Sequence, residues 1–134
     1  MIVIDASVAT KLVNTQEEGS DSAIALLASH LESKEKITVP PLIFLEVANA
    51  LTTKSKLREA YIRKGIHLLH AANFVIQEAN EADIVDASLL AKKYGTSVYD
   101  MIYAVIARNN QSTLITADNK FVNKVNFPYV KSLF

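Results

Sequence analysis

Residues 1–13 read MIVIDASVATKLV. Ile2 to Ile4 form a short apolar run that stops at an acid, Asp5, as a strand buried on both faces of a parallel sheet would. Ser7 to Val13 then has the character of a helix. A strand, an acid at its carboxyl end and a helix make the first half of a βαβ unit, and the rest of the chain repeats that grammar.

After the polar break NTQEEGSD, the segment SAIALLASHL keeps its apolar residues at helical spacing, and ITV at 37–39 is a second strand. Pro40 and Pro41 end that strand and open a helix over LIFLEVANALTTK, since a first-turn proline loses no needed hydrogen bond. Residues 58–72 continue helically, FVI at 74–76 is a third strand, and EADIVDASLLAKKYG is a helix closed by Gly95. A helix carrying Asp100, the strand TLIT at 113–116, a short helix from Asn119 and a last strand near YVK complete the chain. Strands that alternate with helices and are apolar throughout predict an α/β fold with a parallel sheet covered on both faces. No linker, repeat or low-complexity segment divides residues 1–134, which are expected to form one domain.

Lys plus Arg and Asp plus Glu both number 14, so no overall field draws the chain toward nucleic acid or membrane. Without cysteine, disulfides, cysteine-based zinc sites and thiol nucleophiles are excluded. No run approaches the roughly 18 apolar residues of a membrane span, and no signal peptide opens the chain, so a soluble cytoplasmic protein is expected. Only Gly19, Gly65 and Gly95 are present, and none are close enough for a phosphate-cradling loop. No serine lies in a nucleophile elbow.

In parallel sheets, ligands bind beyond the carboxyl ends of the strands, so acids there matter most. Ten of the fourteen acids lie where water is an adequate explanation. Glu17, Glu18, Asp21, Glu32 and Glu35 occupy polar loops or helix flanks, and Glu59 lies among basic residues. Glu78, Glu81, Asp83 and Asp86 gather at a helix start and are expected to be solvated. The other four interrupt apolar context. Asp5 and Asp118 follow strands, Glu46 sits inside LIFLEVANAL, and Asp100 precedes the apolar run MIYAVIA. Each has a local alternative: Asp5 and Asp118 as helix caps, Asp100 as the acid of a capping box with Ser97, and Glu46 as partner of a cation. If the four converge, their repulsion in a partly dry crevice raises their pKa values unless a cation neutralises them. All-oxygen ligands suit Mg²⁺ or Mn²⁺, with Ser7 and Thr116 placed to hydrogen-bond the carboxylates from behind. The chemistry indicated is metal-assisted hydrolysis of a phosphodiester.

MIVIDASV, FLEVANAL, SVYDMIYAVIA and LITADNKF, in this order on a chain of this size, resemble the PIN-domain ribonucleases, especially the VapC-like toxins of toxin–antitoxin pairs. The resemblance implies a three-layer α/β/α sandwich around a parallel sheet of four or five strands. It implies that Asp5, Glu46, Asp100 and Asp118 bind one or two divalent ions and cleave RNA, leaving 5′-phosphate and 3′-hydroxyl ends, with Thr116 as a polar helper. It further implies a homodimer inhibited by a small antitoxin whose tail occupies the groove. Met101 stands where the family more often has a small residue, and is expected to crowd the site.

Other features have plainer expectations. KSKLREAYIRK concentrates Lys54, Lys56, Arg58, Arg63 and Lys64 beyond the Glu46 helix, as an RNA or antitoxin contact or as a solvated face. His67 and His70 have no third ligand nearby and are expected to pack or face solvent. Tyr99 and Tyr103 are expected in the core or a dimer interface rather than stacked on bases. Two other functional classes fit the same sheet: a phosphoacceptor domain using Asp5 or Asp118, and a non-catalytic RNA-binding or scaffold module.

Overall fold

The structure, a computed structural model, describes residues 1–53 and 56–134. Lys54, which closes the expected third helix and begins the basic cluster, lies outside the described residues. The elements run β1 (Ile2–Ile4), α1 (Ala6–Val13), α2 (Ser20–Leu31), β2 (Ile37–Val39), α3 (Leu42–Thr53), α4 (Glu59–Ala71) and β3 (Val75–Ile76). They continue as α5 (Glu81–Tyr94), α6 (Val98–Asn109), β4 (Thr113–Thr116), α7 (Asn119–Val125) and β5 (Val130–Ser132).

The five strands form one sheet in the order β3-β2-β1-β4-β5, and every neighbouring pair is parallel. From β1 the chain builds outward through β2 to β3, then crosses back to β4 and β5. Right-handed crossovers in opposite directions place the intervening helices on opposite faces, which gives three layers. The same reversal opens a crevice at the carboxyl ends of β1 and β4, the topological switch point.

The layers are held by apolar burial. Val3, Ile4, Ile37, Val39 and Leu114 of the sheet are essentially inaccessible, and α6 is buried at every position from Met101 to Ala107. Ala104 and Ala107 keep that helix close to the sheet, while each fully buried Val, Ile or Met side chain contributes about 1.5–3 kcal/mol. Gly65 serves a similar purpose in α4: a Cβ there would lie 3.2 Å from Leu51 Cδ1 and 3.4 Å from Val13 Cβ, so its absence lets α4 approach α1 and α3.

Local chemistry sets the boundaries. Ser97 Oγ accepts from the Asp100 N–H at 3.0 Å and starts α6. Gly95, with φ +67°, ends α5 in a left-handed turn, and its carbonyl accepts from Lys124 Nζ at 2.7 Å. His30 is buried and accepts the Ile37 N–H on Nδ1 at 3.0 Å, so its proton lies on Nε2, which donates to Asn73 O at 3.1 Å. That ring ties the start of β2 to the end of α4.

Two expectations are corrected. The third strand is two residues long, and Val75 and Ile76 are 44% and 48% exposed rather than buried. As an edge strand, β3 has one neighbour and lies at the margin of the helical cover, with only Phe74 turned into the core. Asp83 is buried, not solvated. Its carboxylate accepts the Asn80 N–H at 3.0 Å in a complete capping box and Asn109 Nδ2 at 2.9 Å, so a helix start became a tie between α5 and α6. Of the two tyrosines expected in the core or a dimer interface, Tyr103 is 1% exposed and lies in the core, and Tyr99 is 61% exposed.

Candidate active site

β1 ends at Asp5 because the next residues turn into α1, and the Asp5 carboxylate is the N-cap of that helix. Its Oδ1 accepts the Val8 N–H at 3.2 Å. Two hydroxyls complete its surroundings: Ser7 Oγ donates to Oδ1 and Thr116 Oγ1 donates to Oδ2, both at 2.5 Å. Each hydroxyl oxygen in turn accepts a main-chain N–H, Ser7 from Ala117 at 2.9 Å and Thr116 from Asp118 at 3.1 Å. Ser7 and Thr116 approach to 3.3 Å, but both protons are committed to Asp5, so that contact is proximity rather than a hydrogen bond. The network stitches the end of β1 to the end of β4.

Asp118 repeats the arrangement of Asp5. It is the N-cap of α7, with Oδ1 accepting the Phe121 N–H at 3.1 Å. The two acids are therefore caps and crevice residues at once, since a carboxylate has more lone pairs than a single cap uses.

Glu46 arrives from the second turn of α3 and Asp100 from the first turn of α6. Both are partly buried. Tyr103, one helical turn beyond Asp100, donates its hydroxyl proton to Glu46 Oε1 at 2.5 Å. Asp5, Glu46, Asp100 and Asp118 together line one cavity of about 310 Å³, shared with Ser7, Asn49 and Tyr103. Four acids separated by up to 113 positions in the chain thus face one crevice at the β1/β4 switch point. Met101 is fully buried and does not line it, so the expected crowding does not arise.

The electrostatics follow from burial. Asp5 is pushed up from 3.8 to about 6, chiefly by desolvation, against the lowering effect of its hydrogen bonds from Ser7, Thr116 and Val8, with the Asp100 charge adding a smaller push upward. Tyr103 is held well above the usual tyrosine range, first by burial, then by its bond to Glu46 and the negative charges of Glu46, Asp5 and Asp100. Its proton stays on the phenol, as donation to Glu46 requires.

Among the described residues, no three His, Cys, Asp or Glu side chains stand close enough to chelate one metal ion directly. The donor set still fits a small hard cation. Mg²⁺ is commonly held by one or two carboxylates with the remaining positions filled by water, so a crevice lined by four carboxylates need not close on the ion. A phosphoacceptor domain also needs a lysine beside the accepting aspartate, and among the described residues none lines this crevice.

Two sequence features lie elsewhere. His70 Nδ1 lies 2.9 Å from the Ile66 carbonyl and its ring stacks on Phe44, and both His67 and His70 are exposed, away from the crevice. The role of Tyr103 beside Glu46 was missed. Its signal was positional, since a residue three after Asp100 shares that acid's helical face.

The PIN domain family model matches residues 2–126. Comparison with curated proteins gives no match. Among solved structures, PAE2754 from Pyrobaculum aerophilum aligns over 98% of this chain and 88% of its own, with a TM-score of 0.72 and 19% identity. A toxin–antitoxin complex from Klebsiella pneumoniae aligns over 100% of this chain and 98% of its own, with a TM-score of 0.68 and 17% identity. The sarcin-ricin loop cleaving toxin VapC20 of Mycobacterium tuberculosis aligns over 87% of this chain and 88% of its own, with a TM-score of 0.67 and 14% identity. At such identities the likeness is one of fold.

Proposed function

Because the chain belongs to the PIN domain family, we propose that it is a metal-dependent endoribonuclease whose active site is the crevice of Asp5, Glu46, Asp100 and Asp118. The observation that carries this reading is that carboxylates from β1, α3, α6 and the β4–α7 turn line one cavity at the switch point of a parallel sheet. Burying Asp5 beside other carboxylates opposes its ionisation, and a cation is what relieves that opposition.

The four carboxylates would hold Mg²⁺ or Mn²⁺, in part through water. When bound, such an ion supplies phosphoryl polarisation and a more acidic water. The chain itself supplies orientation. Ser7 and Thr116 fix both oxygens of Asp5, and Tyr103 fixes one oxygen of Glu46, so the donors cannot turn away as a phosphate approaches. Cleavage would leave 5′-phosphate and 3′-hydroxyl ends, as in the family the chain resembles.

The biological role that fits is the toxin of a toxin–antitoxin pair, acting as a cytoplasmic homodimer of single-domain chains and restrained by a small antitoxin. Structural likeness to a toxin–antitoxin complex and to an RNA-cleaving toxin supports it. Among the described residues no helix is long and apolar enough to cross a membrane.

The test is cleavage of single-stranded RNA by purified protein with Mn²⁺ or with EDTA. Wild type should cut with the ion and stop with the chelator, and Asp100→Asn should be inactive while melting cooperatively. Undiminished cleavage by Asp100→Asn would remove the assignment.

A further inference from the structure

Beside the carboxylate crevice lies a second, larger cavity of about 930 Å³. The two share Ser7, Thr10, Ala50 and Asp118, so they are compartments of one continuous depression. Their linings differ in kind. The crevice is walled by acids, whereas the larger cavity sets two lysines, two side-chain amides and an aromatic ring beside the acids Glu17 and Asp118 and the apolar Val13, Leu51 and Leu57. Its size falls at the upper end of small-ligand clefts, roughly 300–1,000 Å³.

Four parts of the chain build it, one of them the turn after β4 with Ala117 and Asp118. The end of α1 and the loop after it bring Lys11, Asn14 and Gln16, the end of α3 brings Ala50 and Leu51, and the segment into α4 brings Lys56 and Tyr61. Lys11 is buried along its stem, with Nζ 3.6 Å from Glu17 and 5.7 Å from the centre of the Phe134 ring. Tyr61 is 60% exposed although aromatic, and sits in the first turn of α4 at the cavity's rim. A phenol ring held at a rim by a helix is a stacking platform. Side-chain amides offer donors and acceptors to base edges, and lysines attract phosphate. A strand whose scissile phosphate reaches four carboxylates also needs a cation beside it; Lys11 is paired with Glu17, and Lys56 is the exposed lysine of this depression.

We infer that this cavity is a nucleotide subsite: it receives an unpaired base and the adjoining phosphate of a single-stranded RNA whose scissile bond lies in the neighbouring crevice, with Tyr61 stacking on the base and Lys56 contacting the phosphate. The inference rests on the nuclease reading and extends it from the reacting bond to the neighbouring nucleotide. It also divides the basic segment by role. Lys56 and Tyr61 face the cavity, while Arg63 pairs with Glu59 at 3.2 Å on the exposed side of α4.

The experiment measures binding rather than turnover. A fluorescein-labelled single-stranded RNA of about eight nucleotides, without divalent ion, is titrated with wild type, Tyr61→Ala, Tyr61→Phe and Lys56→Gln, read by anisotropy at several salt concentrations. Tyr61→Ala should weaken binding roughly 5- to 150-fold, the range for losing one stacked base, and Tyr61→Phe should stay within about twofold of wild type. Lys56→Gln should lower the salt slope by about one phosphate contact. Because Tyr61 and Lys56 are exposed, all variants should melt as wild type does. Tyr61→Ala binding RNA within about twofold of wild type, or wild type binding no RNA, overturns the subsite. A parallel titration with an arginine-rich peptide of similar length tests the other occupant: if Tyr61→Ala weakens the peptide and spares the RNA, the cavity docks protein and the inference fails. Failure here with Asp100→Asn still inactive leaves the nuclease reading standing, whereas an active Asp100→Asn overturns that reading alone.

Discussion

The Tyr103 hydroxyl donates to Glu46 Oε1 at 2.5 Å, joining α6 to α3 beside the crevice that both residues line. A carboxylate oxygen held in this way keeps a lone pair for an ion, but the group is fixed in orientation, which favours contact with a metal ion through one oxygen. Small octahedral ions accept that, while Ca²⁺ favours bidentate carboxylates and more ligands. Tyr103→Phe keeps the buried ring and removes this hydrogen bond. Calorimetric titration should show the Ca²⁺ affinity rising relative to Mn²⁺, with RNA cleavage falling several-fold. An unchanged Ca²⁺ to Mn²⁺ ratio would show that the bond has no influence on the ion.

Asp5 sets a pH dependence of stability. Burial raises it from 3.8 to about 6, so between those values the folded protein keeps a proton that the unfolded chain has released. The folded state therefore binds more protons, and stability falls as pH rises through this window. The loss is absent below the unfolded value and complete above the folded one, and a shift of this size corresponds to about 3 kcal/mol. Asp5→Asn keeps an oxygen for the Val8 N–H and carries no charge. Urea midpoints compared at about pH 4 and about pH 7.5, without metal, should show wild type losing stability relative to Asp5→Asn by that order. Parallel pH profiles for the two proteins would contradict the burial argument.

Thr38 is a simpler case. It lies in the middle of β2 at 1% exposure, and its hydroxyl has no hydrogen-bond partner among the described residues. A buried unsatisfied hydroxyl carries its desolvation penalty without return, and valine has nearly the same shape and suits a strand. Thr38→Val should therefore raise stability by about 1 kcal/mol, read as a higher thermal midpoint. A lower midpoint would mean that the hydroxyl is satisfied after all.

These predictions draw on different depths of the sequence. Buried parallel strands announce themselves as uninterrupted apolar runs, so β1, β2 and β4 were legible from composition alone, and Gly95 and Ser97 marked the break between α5 and α6. Asp5, Glu46, Asp100 and Asp118 stood out because each broke an apolar context, yet their facing one crevice depends on the strand order, which no local pattern contains. Tertiary pairing also decided the cases that were misread. Asp83 sits among solvated acids in sequence and was buried by Asn109, a residue 26 positions away. Val75 and Ile76 look like core residues, but an edge position leaves them exposed. The Tyr103–Glu46 bond spans 57 positions and two helices, beyond the reach of any motif.

The crevice makes a final, thermodynamic prediction. An ion that binds only the folded protein stabilises it by RT ln(1 + [L]/Kd), about 2.7 kcal/mol at a hundredfold excess over Kd. For a chain of this size that corresponds to a rise of roughly 10 °C in Tm. Asp100 supplies one of the four crevice charges, so Asp100→Asn should show a smaller rise with Mn²⁺, and EDTA should abolish both. Protons compete with the ion for carboxylates, and Asp5 gains its proton near pH 6, so the wild-type rise should shrink as pH falls through that value. Differential scanning calorimetry with and without Mn²⁺, across that pH range, reads all three effects in one series. Equal shifts for wild type and Asp100→Asn at every pH would mean that any bound ion sits elsewhere, because a site that includes Asp100 cannot lose its charge without losing affinity.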